Sequence, residues 1–308
     1  MGSGLRGKKI VQQLAATVLA CATGWAQAAP LDTSAQAVPV LVQLPSQDAP
    51  DGQPLQLSGY WFAAPVDTPR PAVLLLHGCG GALDARGRLS QRMRDSTGLL
   101  QAEGWAVLVL DAFSPRGVRE ICTQRIGQRK ITMTNRRLDV LGALAWLAAQ
   151  PGVDAQRLAL LGWSNGGSTV LAATNLRHPA VAAAALRPRA AVAFYPGCAA
   201  DLQQGHAAST ALLLLLGADD DWTPAAPCQA LVEAAGVAGA ASAANIPKPQ
   251  VVVYPGAYHG FDGTAPVQLR RDVPNGAQPG AGVHVGGQPE ARVAAQAQLL
   301  SFLRQALR

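Results

Sequence analysis

The segment Gly162-Trp163-Ser164-Asn165-Gly166 sets a hydroxyl between small residues, after the apolar run Leu158 to Leu161 and before a helical stretch reaching Leu176. A serine at so sharp a strand-to-helix turn has small neighbours because nothing larger fits. Its hydroxyl stands clear of the strand, and the first turn of the helix favours negative charge beside it. The spacing marks Ser164 as a nucleophile; the plainer alternative is a glycine-rich turn with a bystander serine. A hydroxyl attacks only when a base takes its proton. Of the five histidines, His259 in Tyr258-His259-Gly260-Phe261 follows the last apolar run, Val251 to Tyr254. His77 ends a strand and shapes its turn, His178 precedes Pro179, and His206 sits among polar residues, which leaves His284 as the rival.

The base in turn needs a carboxylate to fix its tautomer. Asp219, Asp220 and Asp221 stand in a row after the run Ala211 to Leu216. Three buried carboxylates would repel one another, so one is committed to a partner and the others are solvated. The competing use is to cap the helix that begins at Pro224, a task Asp221 or Thr223 would perform well. An attacking serine also creates an oxyanion that needs donors. The backbone N–H of Asn165 is one candidate. The other is the backbone of Cys79 in His77-Gly78-Cys79-Gly80-Gly81, where glycines permit close approach. Trp163 and Trp222 flank these residues and are candidates to line an acyl or aromatic pocket, although core packing would use them equally well.

The elements that must carry these residues are short and apolar. Strands are expected at Leu55 to Phe62, Ala72 to Leu76, Trp105 to Leu110, Leu158 to Leu161, Ala190 to Tyr195, Ala211 to Leu216 and Val251 to Tyr254. Helices are expected at Leu89 to Glu103, Asn135 to Ala149, Pro224 to Ala235 and Glu290 to Leu307. Buried strands alternating with helices give a mostly parallel α/β sheet covered on both faces. Residues 29–54, rich in Pro, Gln and Asp, read as a loose N-terminal stretch ahead of a single domain over 55–308. The stretch from Gly263 to Gln288 reads as a long loop without structure of its own and is a candidate lid.

His77-Gly78-Cys79-Gly80-Gly81, Gly162-Trp163-Ser164-Asn165-Gly166-Gly167, Gly217-x-x-Asp220-x-x-x-Pro224 and Tyr258-His259-Gly260-Phe261 together resemble the dienelactone hydrolase family, from about Leu55 to the end of the chain. The resemblance implies an α/β-hydrolase fold, whose catalytic residues follow one another as serine, acid, histidine, unlike the chymotrypsin or subtilisin order. Its Gly–Asp–Pro spacing picks Asp220 from the three carboxylates. It also implies small esters or lactones as substrates, cleaved through an acyl-serine with no cofactor. The founding members carry a cysteine at the elbow and a glutamate on an early strand that helps ionise it. Here Ser164 replaces the cysteine, and Ser58 to Phe62 holds no glutamate, which points away from dienelactone itself. Three alternatives remain: a serine peptidase of the same fold, a hydrolase of polyesters outside the cell, and a non-catalytic binding protein on this scaffold. The first normally brings an extra domain, and the last normally lacks a triad member.

The strand order of that fold sets the strand before Cys79 beside the one before Cys122, and the strand before Cys198 beside the one before Cys228. It thereby implies the disulfides Cys79–Cys122 and Cys198–Cys228, with four free thiols as the alternative. Leaving out Cys21 in the N-terminal segment, four of the five cysteines remain, and an even count suits an oxidising compartment. The first 28 residues have the three parts of an export signal: basic Arg6, Lys8 and Lys9, an apolar Ile10 to Ala22, and Ala26-Gln27-Ala28 for cleavage after Ala28. The apolar part falls short of the ~20 residues of a membrane span. Val18-Leu19-Ala20-Cys21 offers lipidation at Cys21 as a weaker alternative. The protein is therefore expected in the periplasm or outside the cell. Removing the leader's three basic residues lowers the formal charge from +6 to +3, too small and too dispersed for a nucleic-acid surface. No Cys/His cluster has zinc spacing, so no metal is expected, and the sequence leaves the oligomeric state open.

Overall fold

The computed structural model describes residues 1, 2, 4, 38–64, 67–237 and 246–308. The expected leader with its cleavage site, and Cys21 with it, lie outside these residues apart from the first isolated positions. Along the chain run β1 (Val40–Pro45), β2 (Gln56–Phe62), β3 (Arg70–Leu76), α1 (Gln91–Gln101), β4 (Ala106–Asp111), α2 (Met133–Ala148) and β5 (Val153–Trp163). Then follow α3 (Asn165–Thr174), the short α4 (Pro179–Ala182), β6 (Ala190–Phe194), the short α5 (Ala199–Gln204), β7 (Ala211–Gly217) and α6 (Ala225–Val237). The last elements are β8 (Gln250–Tyr254), β9 (Gln268–Arg270), β10 (Val283–Val285) and α7 (Pro289–Ala306).

Eight strands form one sheet in the order β1-β2-β4-β3-β5-β6-β7-β8. β1, β2 and β4 pair antiparallel, and every pair from β4–β3 onward is parallel. This is the α/β-hydrolase architecture. β3 is central, and residues Ala72 to Leu76 are fully buried, as expected where helices cover both faces. The two-residue period divides the core. Val73, Leu75, Val107, Val109 and Leu161 pack against Met93 and Leu100 of α1 and Leu299 and Leu303 of α7. Leu74, Leu76, Leu108, Leu110 and Leu160 pack against Val140 and Leu144 of α2, Leu171 of α3 and Leu231 of α6. Each fully buried leucine contributes about 2 kcal/mol of transfer free energy, so the apolar runs hold the sheet together. Among the described residues, no helix is long and apolar enough to cross a membrane.

Two segments differ from the sequence expectation. Residues 40–45, placed in the loose N-terminal stretch, form the edge strand β1. The strand carries Val40, Leu41, Val42 and Leu44, but at the sheet edge only Leu44 is fully buried, and polar anchors fix the chain that follows it. Ser46 Oγ donates to Asp139 Oδ1 at 2.6 Å, and Arg116 bridges Asp139 and Asp48 at 2.8 and 2.7 Å. The late stretch 263–288 holds the antiparallel pair β9–β10 and is not structureless. Strands of three residues are too short to show a period.

Candidate active site

Four of the chemistry-bearing segments sit at the C-terminal ends of parallel strands. Between β5 and α3, Ser164 adopts φ 54° and ψ −119°, a left-handed conformation that costs a non-glycine residue of order 1–3 kcal/mol. The surroundings impose it. Ser164 N–H donates to Phe194 O at 2.9 Å, and its carbonyl accepts from Ser168 N–H at 2.8 Å. A Cβ on Gly162 would strike the Gly166 carbonyl, and one on Gly166 would strike the carbonyls of Leu76 and His77. Helix and strand pass so closely that only glycine fits on either side.

His259 follows β8 and is 3% exposed. Its Nε2 lies 2.9 Å from Ser164 Oγ and its Nδ1 2.8 Å from Asp220 Oδ2. The loop after β7 parts the three neighbouring carboxylates. Asp219 is exposed. Asp221 accepts from the N–H of His284 at 2.8 Å and lies 2.7 Å from its Nδ1. Asp220 is buried; its Oδ1 accepts the N–H groups of Trp222 and Thr223 at 2.9 and 2.8 Å. With Oδ1 engaged, Oδ2 is left for the imidazole, so Nδ1 carries the proton and the Nε2 lone pair faces the serine. His284 thus pairs with a different acid and stays outside the Ser164 hydrogen-bond chain.

Residues to which the sequence assigned no part in the site hold this geometry. Thr223 Oγ1 lies 3.1 Å from Asp220 Oδ2 and 3.0 Å from the Tyr195 carbonyl. The rings of Tyr195 and Trp222 pack on His259 with centroids 4.5 and 4.6 Å away. Tyr195 Oη donates to Asp262 Oδ1 at 2.5 Å, and Asp262 takes both Arg92 Nε and Nη2 at 3.0 Å. Burial pushes the Tyr195 hydroxyl well above its ordinary pKa. Burial would also raise Asp262, but the Arg92 guanidinium outweighs it and holds the carboxyl below its usual range.

Of the two tryptophans expected at the pocket, Trp222 is half-buried beside His259, with the Arg270 guanidinium 5.8 Å from its ring. Trp163 is 2% exposed and stacks on Phe194 at 5.9 Å. It continues the Ala159–Leu161 face of β5 into the core and borders a cavity shared with Phe194, Gly260 and Asp262. β10 lies against the histidine loop: Val285 bridges His259, and Gly286 N–H donates to His259 O at 3.0 Å.

The turn after β3 abuts the elbow. A Cβ on Gly78 would lie 3.5 Å from Ser164 Cβ. The turn's carbonyls are committed elsewhere. His77 O accepts from Arg136 at 2.9 Å, Gly78 O from His77 Nδ1–H at 2.8 Å, and Cys79 O from Ile121 N–H at 2.8 Å. The N–H groups of Cys79 and Asn165 have no acceptor among the described residues. His77 Nε2 accepts Ala112 N–H at 3.2 Å, which fixes the tautomer. Burial, and then the Arg136 charge, lower its pKa well below the ordinary histidine value, so it is neutral. Both disulfides join the expected partners, Cys79 to Cys122 and Cys198 to Cys228. The first ties down the turn after β3, and both suit an oxidising environment. Arg136, on the first turn of α2, was not foreseen; a helix arginine ordinarily reads as solvated, yet this one is 1% exposed.

The dienelactone hydrolase family model matches residues 58–307. No curated protein matches the chain. Three solved structures share the fold at low identity. A putative dienelactone hydrolase from Klebsiella pneumoniae is 19% identical with a TM-score of 0.58, covering 87% of this chain and 100% of its own. A dienelactone hydrolase-like promiscuous phosphotriesterase from metagenomic libraries is 18% identical with a TM-score of 0.57, covering 88% and 100%. Esterase 2 of Thermogutta terrifontis, phosphorylated by paraoxon, is 17% identical with a TM-score of 0.56, covering 88% and 95%.

Proposed function

The chain belongs to the dienelactone hydrolase family and is a hydrolase of ester bonds, and we propose that it cleaves small carboxylic esters or lactones through an acyl-serine on Ser164. The observation that carries this reading is the unbroken chain from Ser164 Oγ through His259 to Asp220, at 2.9 and 2.8 Å. Ser164 Oγ attacks the carbonyl carbon while His259 Nε2 takes its proton. The carbonyl oxygen becomes an oxyanion, received by the N–H groups of Asn165 and Cys79. The imidazolium, steadied by Asp220, returns the proton to the leaving alcohol as the C–O bond breaks. Water, deprotonated by His259, then attacks the acyl-serine and regenerates the hydroxyl. A lactone follows the same course, with its alcohol still attached to the acyl group. The steps need no cofactor.

The leader-like segment and the two disulfides support export to the periplasm or beyond. The test is p-nitrophenol release from acetate, butyrate and octanoate esters, with Ser164→Ala in parallel. We expect the alanine variant to lose on the order of 10⁶-fold in kcat, and the chain-length profile to size the acyl site. Equal turnover by the two proteins would overturn the proposal. Paraoxon, which phosphorylates the Thermogutta esterase, should label Ser164 once per chain.

A further inference from the structure

Among the described residues, Arg136 is the one cation buried directly behind the proposed oxyanion site. Its Nη1 donates to two oxygens: His77 O at 2.9 Å and Asn165 Oδ1 at 2.6 Å. The first opens the turn that carries Cys79; the second belongs to the residue that owns the other N–H donor. A single nitrogen thus spans the two chain segments whose separation defines the oxyanion site. No carboxylate lies within ion-pair distance of Arg136 among the described residues, and its Nε is buried without a partner. The Phe113 ring covers the guanidinium at 5.2 Å. Burial pushes its pKa down to about 10, so the group remains a cation at neutral pH. A buried charge without a direct counter-ion costs stability, which the two hydrogen bonds and the more distant charges of Asp139 and Asp111 offset only in part.

We propose that Arg136 is a positioning residue of the oxyanion site: it fixes the spacing of the Cys79 and Asn165 donors and lends positive charge to the anionic intermediate behind them. The inference rests on the acyl-serine reading. A preorganised cation in a site of low dielectric favours the oxyanion over the neutral ground-state carbonyl, so its effect falls on kcat and leaves KM nearly unchanged. A merely structural arginine would instead change the fraction of folded enzyme.

The experiment compares wild type, Arg136→Met and Arg136→Lys on p-nitrophenyl butyrate, with each rate divided by the sites that paraoxon titrates. Arg136→Met is expected to lose roughly 100-fold in kcat per titrated site, the scale of one lost oxyanion donor, with KM within about threefold. The affinity for a boronic acid that forms a tetrahedral adduct on the serine should fall in parallel. Arg136→Lys, which keeps the charge, should recover at least about tenfold of that loss. If Arg136→Met does not fold, Arg136→Gln carries the same test. A kcat per site within threefold of wild type, or a loss confined to KM, would overturn the role of Arg136 while leaving Ser164 in place. Failure of paraoxon to label Ser164 in the wild type would instead remove the acyl-serine reading, and this inference with it.

Discussion

Asp220→Asn tests the imidazole tautomer with almost no change of shape. In the native site Oδ1 accepts two backbone N–H groups, from Trp222 and Thr223, at 2.9 and 2.8 Å. In the variant only the amide oxygen can occupy that place, since an NH₂ group would meet two donors. The NH₂ therefore takes the position of Oδ2 and points a hydrogen at His259 Nδ1. The ring must answer with a lone pair at Nδ1, which moves its proton to Nε2. That nitrogen then faces Ser164 Oγ as a donor and cannot take the serine proton. The backbone clamp thus forces the unproductive tautomer. The expected fall in kcat is on the order of 10⁴-fold, about 5 kcal/mol of barrier. Steady-state hydrolysis of p-nitrophenyl acetate near pH 8 measures it, with a melting curve to confirm folding. Asp221→Asn, which touches only the His284 pair, should stay within about threefold. A D220N variant within tenfold of wild type, or a D221N variant that loses the larger factor, would refute the assignment of roles to the two carboxylates.

Two further outcomes follow from the same geometry. Cys122→Ser releases the turn bearing Cys79. It should cost about 4 kcal/mol of stability in urea unfolding on chain-entropy grounds, given a sequence separation of 43, and should also lower kcat; Cys228→Ser should cost similar stability but spare kcat. Acidification should destabilise the fold through His77. Its pKa is lowered by burial and by Arg136, so the unfolded chain takes up a proton near pH 6.5 that the folded chain refuses. Stability should therefore be full above about pH 6.5 and decline below it by at most about 1.4 kcal/mol per pH unit. Melting temperatures between pH 7.5 and 5 check this, and a flat profile would contradict it.

The parts of the site legible in the sequence were those whose chemistry constrains the neighbouring residues. Ser164 needs glycines at both flanks because strand and helix leave no space for a Cβ, and that local need writes itself as Gly162 and Gly166. The parallel strands were legible because burial on both faces demands continuous apolar runs such as Ala72 to Leu76. β1 was missed because its apolar residues Val40, Leu41, Val42 and Leu44 stand in a stretch otherwise rich in Pro, Gln and Asp, and its edge position leaves all but Leu44 at least partly exposed. The β9–β10 pair was missed because three residues per strand show no period. For Trp163 the sequence leaves pocket and core equally open, because nearness to Ser164 says nothing of which face of β5 it occupies; the structure packs it with Ala159 and Leu161. Tyr195 and Arg136 act across long sequence separations, and nothing in their immediate neighbours distinguishes them from surface or core residues, while Thr223, visible in sequence only as a helix-cap candidate, holds Asp220 three residues away. The choice among Asp219, Asp220 and Asp221 came from family spacing; the structure supplies the physical difference, since only Asp220 is both buried and clamped by backbone donors.

The hydrogen bonds of the site bridge long stretches of chain: His259 meets Asp220 across 39 residues and Ser164 across 95. No single segment contains a working fraction of the site, and its last member arrives only after β8 has docked at the far edge of a parallel sheet. Non-local pairings of this kind pay their loop-closure entropy before any contact rewards them, and they form slowly. Catalysis is therefore a late arrival during folding. In a refolding experiment helical content would return first and turnover last, and ester hydrolysis would count only the chains that have completed the whole topology.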